Sequence, residues 1–186
     1  MPEDHFAELG VERRLSLGAE ELRARYDARC REAHPDAGGE ADAFQRLRGA
    51  YALLSSPAQR LRHWLELGGK ELEAGGGPGE GVTALFGELG PLLQRAREVA
   101  RRHAGAKSAL ARSLAEREGM GALAELEGAR ERIRELMEGL TERFTRFDAE
   151  GVGSCAEEAA ATARSLLFLE RWEAELRVAW SNLGCW

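Results

Sequence analysis

A helical stripe of apolar residues runs through the segment from about residue 122 to 148. Its members recur every three or four residues, the period of one face of an α-helix: Leu126, Ala129, Ile133, Leu136, Leu140, Phe144 and Phe147. Aromatic residues make up only 6% of the chain and β-branched residues are scarce, which favours helix over sheet in the rest of the sequence. We therefore predict an all-α protein.

A glycine-rich segment divides this helical sequence. Residues 68–81 contain seven glycines beside Pro78, so ordered helix is costly there and a flexible connector is favoured. A chain of 186 residues is long enough for two small domains. We predict an N-terminal domain at residues 1–68, a linker at 69–81 and a C-terminal helical bundle at 82–186.

Start and stop signals predict four helices in the N-terminal domain. The first runs from about Asp4 to Leu9 and ends at Gly10, and the third spans about Glu40 to Leu54. The second begins after Gly18 with Glu21 in a capping-box position and ends near Ala33. The fourth begins at Ser56-Pro57-Ala58-Gln59, with serine as N-cap and proline at N1, and ends at Gly68.

The C-terminal part is predicted to contain three long helices. The first follows Pro91, and its apolar stripe continues past Gly105 to Leu110. A turn at Gly119-Met120-Gly121 ends it, and the second helix spans about 122 to 148. The third opens with a capping box of Ser154 and Glu157. Its apolar stripe includes Ala163, Leu166, Leu169, Leu176, Trp180 and Leu183. Short connections between such helices favour an antiparallel three-helix bundle.

Several classes of function are disfavoured. A net charge of -6 gives no general attraction to nucleic acid or acidic membranes. The three cysteines and four histidines form no metal-ligand spacing and the cysteine number is odd, so we expect neither metal nor disulfide framework. No nucleophile motif or phosphate-binding loop occurs, so we expect no enzyme and no cofactor. The start of the chain lacks a signal-peptide pattern and no apolar stretch could span a bilayer, which predicts a cytoplasmic protein.

The tripeptide His34-Pro35-Asp36 lies between the second and third predicted helices. By itself it reads as a turn that ends a helix. Its context changes that interpretation: Phe6-x-x-Leu9-Gly10-Val11 precedes it, and Phe44-x-x-Leu47-x-x-Ala50-Tyr51-x-x-Leu54 follows it. From residue 4 to 68 the sequence resembles the J-domain family. The resemblance implies a helical hairpin whose connecting loop docks on a DnaK-type chaperone and stimulates its ATP hydrolysis.

The resemblance also implies chaperone-binding residues. His34, Pro35 and Asp36 match the family signature, and Arg23 and Tyr26 fall at second-helix positions that contact the chaperone. Arg25 belongs to a local excess of three positive charges between residues 23 and 31, which would steer the helix towards an acidic partner. The alternative interpretation of these arginines is an ordinary solvated helix face.

The second half of the chain narrows the resemblance to HscB, the J-domain co-chaperone family of iron–sulfur cluster assembly. The spacing between Gly10 and His34, the segment Arg60–Gly68 and the segment Ala163–Arg171 are similar to that family. The resemblance implies an HscA-type ATPase as partner and an IscU-like scaffold as client. Residues that match the client-binding patch are Leu85, Phe86, Leu89 and Phe168. The alternative is that they fill the bundle core, which is favoured for Leu89 by its place on a stripe.

Three other functions stay open. The chain could be a generic J-protein with a different client. It could be a helical structural adaptor whose J-like domain has lost activity, because Arg29 and Ala33 depart from the family pattern. RNA or membrane-surface binding through the arginine-rich helix is disfavoured by the acidic balance of the chain.

Overall fold

The computed structural model describes residues 3–33, 41–72 and 77–184. Within those ranges the chain contains no β-strand, which confirms the predicted all-α fold. In chain order, the helices are α1 (His5–Leu9), α2 (Ala19–Glu32), α3 (Ala41–Ser55), α4 (Pro57–Leu67), α5 (Glu80–Thr83), α6 (Phe86–Ala104), α7 (Ala109–Thr141), α8 (Phe144–Glu150) and α9 (Val152–Gly184). They form two compact units, one from Met1–Gly76 with Leu140–Leu166 and one from Gly77–Gly139 with Leu167–Trp186. The domain boundaries at 68 and 82 stay a prediction.

In the first unit, local signals determine where the N-terminal helices begin and end. The Asp4 carboxylate accepts hydrogen bonds from the Phe6 and Ala7 N–H groups of α1, and Gly10 ends the helix with φ +66°. Ser56 caps α4 by accepting from the Gln59 N–H at 3.1 Å. These two helices therefore confirm the sequence prediction. α2 begins after Gly18 as predicted, but the Glu21 carboxylate binds Arg14 at 2.6 Å instead of closing a capping box.

The loop between α1 and α2 is fixed by charged side chains from two other helices of this unit. The buried guanidinium of Arg60, on α4, donates to the Leu15 and Leu17 carbonyls, both at 2.8 Å. The Asp148 carboxylate, on α8, accepts from the N–H groups of Leu15 at 2.7 Å and Ser16 at 2.9 Å. The polar backbone of this loop is thus paired although Leu15 is completely buried.

In the second unit, α6 and α7 are antiparallel and α9 packs beside both. Ion pairs between α6 and α7 run in opposite residue order, joining Glu88 to Arg132, Arg95 to Glu125 and Arg102 to Glu118. Arg97 binds Glu175 of α9 at 3.1 Å, and Arg130 of α7 binds Glu173 at 3.2 Å. Because ion pairs at the surface contribute little each, the buried apolar stripes supply most of the stability. Those stripes include Leu92, Val99, Leu126, Ile133, Leu169 and Leu176.

The boundaries of α6 and α7 differ from the sequence prediction. α6 begins at Phe86, ahead of Pro91, and ends at Ala104. α7 begins at Ala109, with the Ser108 hydroxyl accepting from the Ala111 N–H, and continues without a turn through residues 119–121. The turn predicted at Gly119-Met120-Gly121 is therefore wrong. Gly119 is buried in a stripe of small residues with Ala115 and Ala122, so packing overrides the weak helix propensity of glycine.

Three further predictions for the C-terminal helices are wrong. α9 begins at Val152, so Ser154 lies inside the helix and caps nothing. Trp180 is 40% exposed, and Ala179 occupies the buried position instead. The predicted helix at 122–148 is interrupted at residues 142–143, between α7 and α8.

Candidate protein-binding surfaces

The predicted signature His34-Pro35-Asp36 lies outside the described residues. In the sequence it falls between the end of α2 at Glu32 and the start of α3 at Ala41. Its role in chaperone binding stays a prediction.

An aromatic pair joins α2 to α3 on the face that carries two of the predicted chaperone-binding residues. The rings of Tyr26 and Tyr51 stack with their centroids 4.4 Å apart. The Arg23 guanidinium lies 6.0 Å from the Tyr26 centroid and 5.9 Å from that of Tyr51, close enough for a cation–π interaction. Its carboxylate partner, Asp27, is 3.0 Å away. Tyr51 completes this cluster, although its sequence position indicated only a packing role.

The contacts within this cluster raise the pKa values of two of its side chains. The hydrogen bond to Asp27, followed by the contact with Tyr51, raises the pKa of Arg23. A hydrogen bond with Cys30 and partial burial raise the pKa of Tyr26. Tyr26 therefore stays protonated at neutral pH.

The other arginines of α2 surround this cluster unevenly. Arg25 is exposed, but residues two apart on a helix point about 200° away from each other, so Arg25 does not join Arg23. Arg29 donates to the Glu8 carbonyl at 3.3 Å and binds Glu32, so it ties α2 to α1. Arg48 on α3 is exposed and close enough to lower the pKa of Tyr26 in part. Sequence reasoning missed Arg48 because it lies on another helix.

A second aromatic cluster lies in the second unit, at the start of α6 and the middle of α9. The rings of Phe86 and Phe168 meet edge to face with centroids 5.3 Å apart. Trp172 also meets Phe86 edge to face, at 5.8 Å. All three side chains are half-buried, so part of each ring faces solvent. Trp172 was missed by sequence reasoning, although it lies one turn after Phe168 on the same helix face.

The four predicted client-binding residues thus fall into two groups. Phe86 and Phe168 are in contact and partly exposed. Leu89 is 1% exposed and Leu85 is 9% exposed, so these two side chains support the cluster from the core side. Client binding by the four residues stays a prediction, and the surface that could carry it consists of Phe86, Phe168 and Trp172.

The described histidines include one close pair that sequence spacing does not reveal. The His5 and His63 rings lie with centroids 4.8 Å apart, and the Nε2 atom of buried His63 accepts the His5 backbone N–H at 3.2 Å. Phe6 also stacks on His63, with the ring centroids 5.6 Å apart. Among the described residues no three potential metal ligands cluster together. Within the same ranges, none of the helices combines the length and the apolar character needed to cross a membrane.

Comparison with known proteins gives one informative relationship. No family model matches the chain. The chain is similar to Chaperone protein DnaJ 1 of Nocardia farcinica (strain IFM 10152), with 35% identity over 97 residues. The match covers 50% of this chain and 24% of that protein, so the chain spans about a quarter of the length of this relative. The similarity supports a J-domain protein.

Proposed function

We propose that this chain is a J-domain co-chaperone that stimulates the ATPase of a DnaK-type chaperone. The observation that carries the proposal is the Arg23, Tyr26 and Tyr51 cluster, on the two helices that flank His34-Pro35-Asp36 in the sequence. The similarity to a DnaJ chaperone supports the same function. ATP binding and hydrolysis belong to the partner, and this chain contributes no catalytic group.

The chemistry of this surface suits an acidic partner. Aromatic rings and arginine are the side chains that most often dominate binding free energy at protein interfaces. The ion pair with Asp27 and the stacked rings restrict the Arg23 side chain before binding, which lowers the entropy lost on association. Exposed Arg48 adds positive charge beside the cluster, which accelerates encounter with a negative surface.

The substitution His34→Gln tests this function. We expect it to abolish stimulation of steady-state ATP hydrolysis by the DnaK-type chaperone of the same organism, with an unchanged far-UV circular dichroism spectrum. His103→Gln is the matched control, because His103 contacts Glu116 in the second unit. Full stimulation by His34→Gln would exclude the J-domain mechanism and favour the structural adaptor, which should also form a stable dimer in light scattering.

We further propose the finer assignment to the HscB type, with an HscA-type ATPase as partner and an IscU-like scaffold as client. The partly exposed aromatic cluster of Phe86, Phe168 and Trp172 supports it, because clustered large side chains form the anchors of protein interfaces.

Isothermal titration calorimetry with the organism's own IscU-like scaffold tests the client. We expect binding by the wild type and a loss of about tenfold or more for Phe168→Ala. Leu110→Ala is the control, since Leu110 is an apolar side chain that is 71% exposed on α7. Absence of binding by the wild type would reject the scaffold and leave a J-protein with another client.

A further inference from the structure

A groove runs between α6 and α9 in the second unit. Its volume is about 850 Å³, and small residues of α6, namely Gly90, Ala100 and Ala104, line it. The small side chains leave room for another backbone to approach closely. Asn182 of α9 lines the opposite side. The groove is therefore wide and shallow enough for a peptide segment.

The charge of this groove is positive. Arg97 and Arg101 line it, and no lining residue within the described ranges is acidic. At its edge, the Glu175 carboxylate binds Arg97 at 3.1 Å and Arg171 at 3.5 Å. Arg101 has no acidic partner among the described residues. Arg97, Arg101 and Arg171 together with the one carboxylate of Glu175 give a local excess of two positive charges.

Apolar side chains lie close to the charged region. Phe86 is one helical turn before Gly90, so the cluster with Phe168 and Trp172 is adjacent to the groove. Val178, three residues after Glu175 on α9, is 60% exposed. An occupant that matches this surface needs apolar residues to cover the rings and carboxylates to reach the arginines.

We propose that this groove binds an acidic amphipathic helix of the client protein. The inference rests on the proposed client-binding function and specifies the charge of the client segment. The apolar face of the helix contacts Phe86, Phe168 and Trp172, as in other helix-in-groove complexes. Its carboxylates pair with Arg97, Arg101 and Arg171, because guanidinium groups bind carboxylates through two parallel hydrogen bonds.

Two synthetic peptides of about 18 residues, five helical turns, provide the probes. Both carry leucine and phenylalanine at the same helical spacing, and their other positions are glutamate in one peptide and lysine in the other. Each is titrated into the ¹⁵N-labelled chain of 186 residues. We expect the glutamate peptide to shift the amide signals of Gly90, Ala100 and Asn182, and the lysine peptide to bind at least about tenfold more weakly because like charges repel.

The charge is then tested in the protein. Arg101→Glu should weaken binding of the glutamate peptide by about five- to tenfold at low salt, with a smaller effect when salt screens the charges. Arg117→Glu, an exposed position on α7, should leave binding unchanged. Equal binding of both peptides, binding of neither, or equal effects of the two substitutions would overturn the proposal. Binding of the scaffold through Phe168 is measured separately and does not require any of these results. Failure of the charged groove to bind an acidic helix is therefore distinguishable from failure of the client-binding function.

Discussion

At the scale of single residues, Arg60 stabilises the loop between α1 and α2. Its guanidinium is buried and donates two 2.8 Å hydrogen bonds to the Leu15 and Leu17 carbonyls. Arg60→Met keeps most of the side-chain length but leaves both carbonyls without this donor. We expect a loss of about 2 to 4 kcal/mol in the free energy of unfolding, measured by urea denaturation.

Arg62→Met is the control for this prediction. Arg62 is on the same helix, but it is 40% exposed and pairs with Glu66 one turn away. The expected loss is at most about 0.5 kcal/mol, as for exposed ion pairs on a helix. Similar losses for Arg60→Met and Arg62→Met would contradict the role given to the buried hydrogen bonds.

His63 makes the stability of the first unit depend on pH. Burial, then the nearby His5, lowers the pKa of His63, while Glu66 and Asp4 raise it by less. Protonation would also remove the Nε2 lone pair that accepts the His5 N–H. The folded state therefore binds a proton less readily than the unfolded state, whose histidine has a pKa of about 6.5. Stability is greatest above that value and declines as the pH falls through it towards the folded pKa.

Two measurements check this effect. A titration of the imidazole NMR signals should place the midpoint of His63 below 6.5. The urea midpoint of the wild type should decrease between about pH 7 and pH 5.5, and His63→Leu should show a shallower decrease. A His63 midpoint at or above that of an exposed histidine would reverse the sign of the prediction.

At the scale of secondary structure elements, the sequence predicts the ends of helices correctly where neighbouring side chains determine them. The end of α1 at Gly10 and the cap of α4 at Ser56 depend on residues close by in the sequence, so they were predicted correctly. The turn at Gly119-Met120-Gly121 was wrong because glycine is also tolerated where helices pack closely. Ser154 has the sequence of a cap, yet Gly151, with φ +73°, ends α8 and α9 begins immediately after it.

Gly121→Ala distinguishes a helix from a turn at this point. Gly121 lies within α7, is exposed and has no neighbouring atom within 4 Å of the position of an added Cβ. We expect alanine to raise the free energy of unfolding by about 0.5 to 1 kcal/mol, because it has the higher helix propensity. Gly151→Ala should instead lower it by about 1 to 3 kcal/mol, because its positive φ is strained for alanine. Destabilisation by Gly121→Ala would indicate the turn that the sequence predicted.

At the binding surfaces too, the sequence predicted some residues and missed those whose position depends on another helix. Phe86 and Phe168 were found from the sequence through family resemblance, and the two rings are in contact. Trp172 and Tyr51 were missed, since each acquires its position from a partner on another helix. Leu89 lies on an amphipathic stripe, so its burial could be predicted from the sequence.

At the scale of the whole molecule, the first unit contains segments that are far apart in the sequence. Residues 140–166 belong to the same unit as the N-terminal helices. Asp148 binds loop backbone more than 130 residues earlier, and Val152 lies against Gly68, where an added Cβ would be only 2.6 Å from a Val152 methyl group. Helical periodicity and caps carry no information on such pairings, and the domain boundary at residue 68 stays a prediction.

A comparison of the full chain with residues 1–76 tests whether the N-terminal segment is equally stable without residues 140–166. In the fragment the Leu15 and Ser16 N–H groups lose the Asp148 carboxylate, and hydrogen bonds to a charged acceptor contribute about 1.5 to 3 kcal/mol. We expect these two amides to exchange with solvent at least about tenfold faster in the fragment, and the urea midpoint to be lower. Asp148→Asn in the full chain should accelerate the same two amides while α4 keeps its protection. An equal urea midpoint and an equal Leu15 exchange rate in the fragment and the full chain would contradict this expectation. The N-terminal segment would then fold independently of residues 140–166, as the predicted boundary at residue 68 implies.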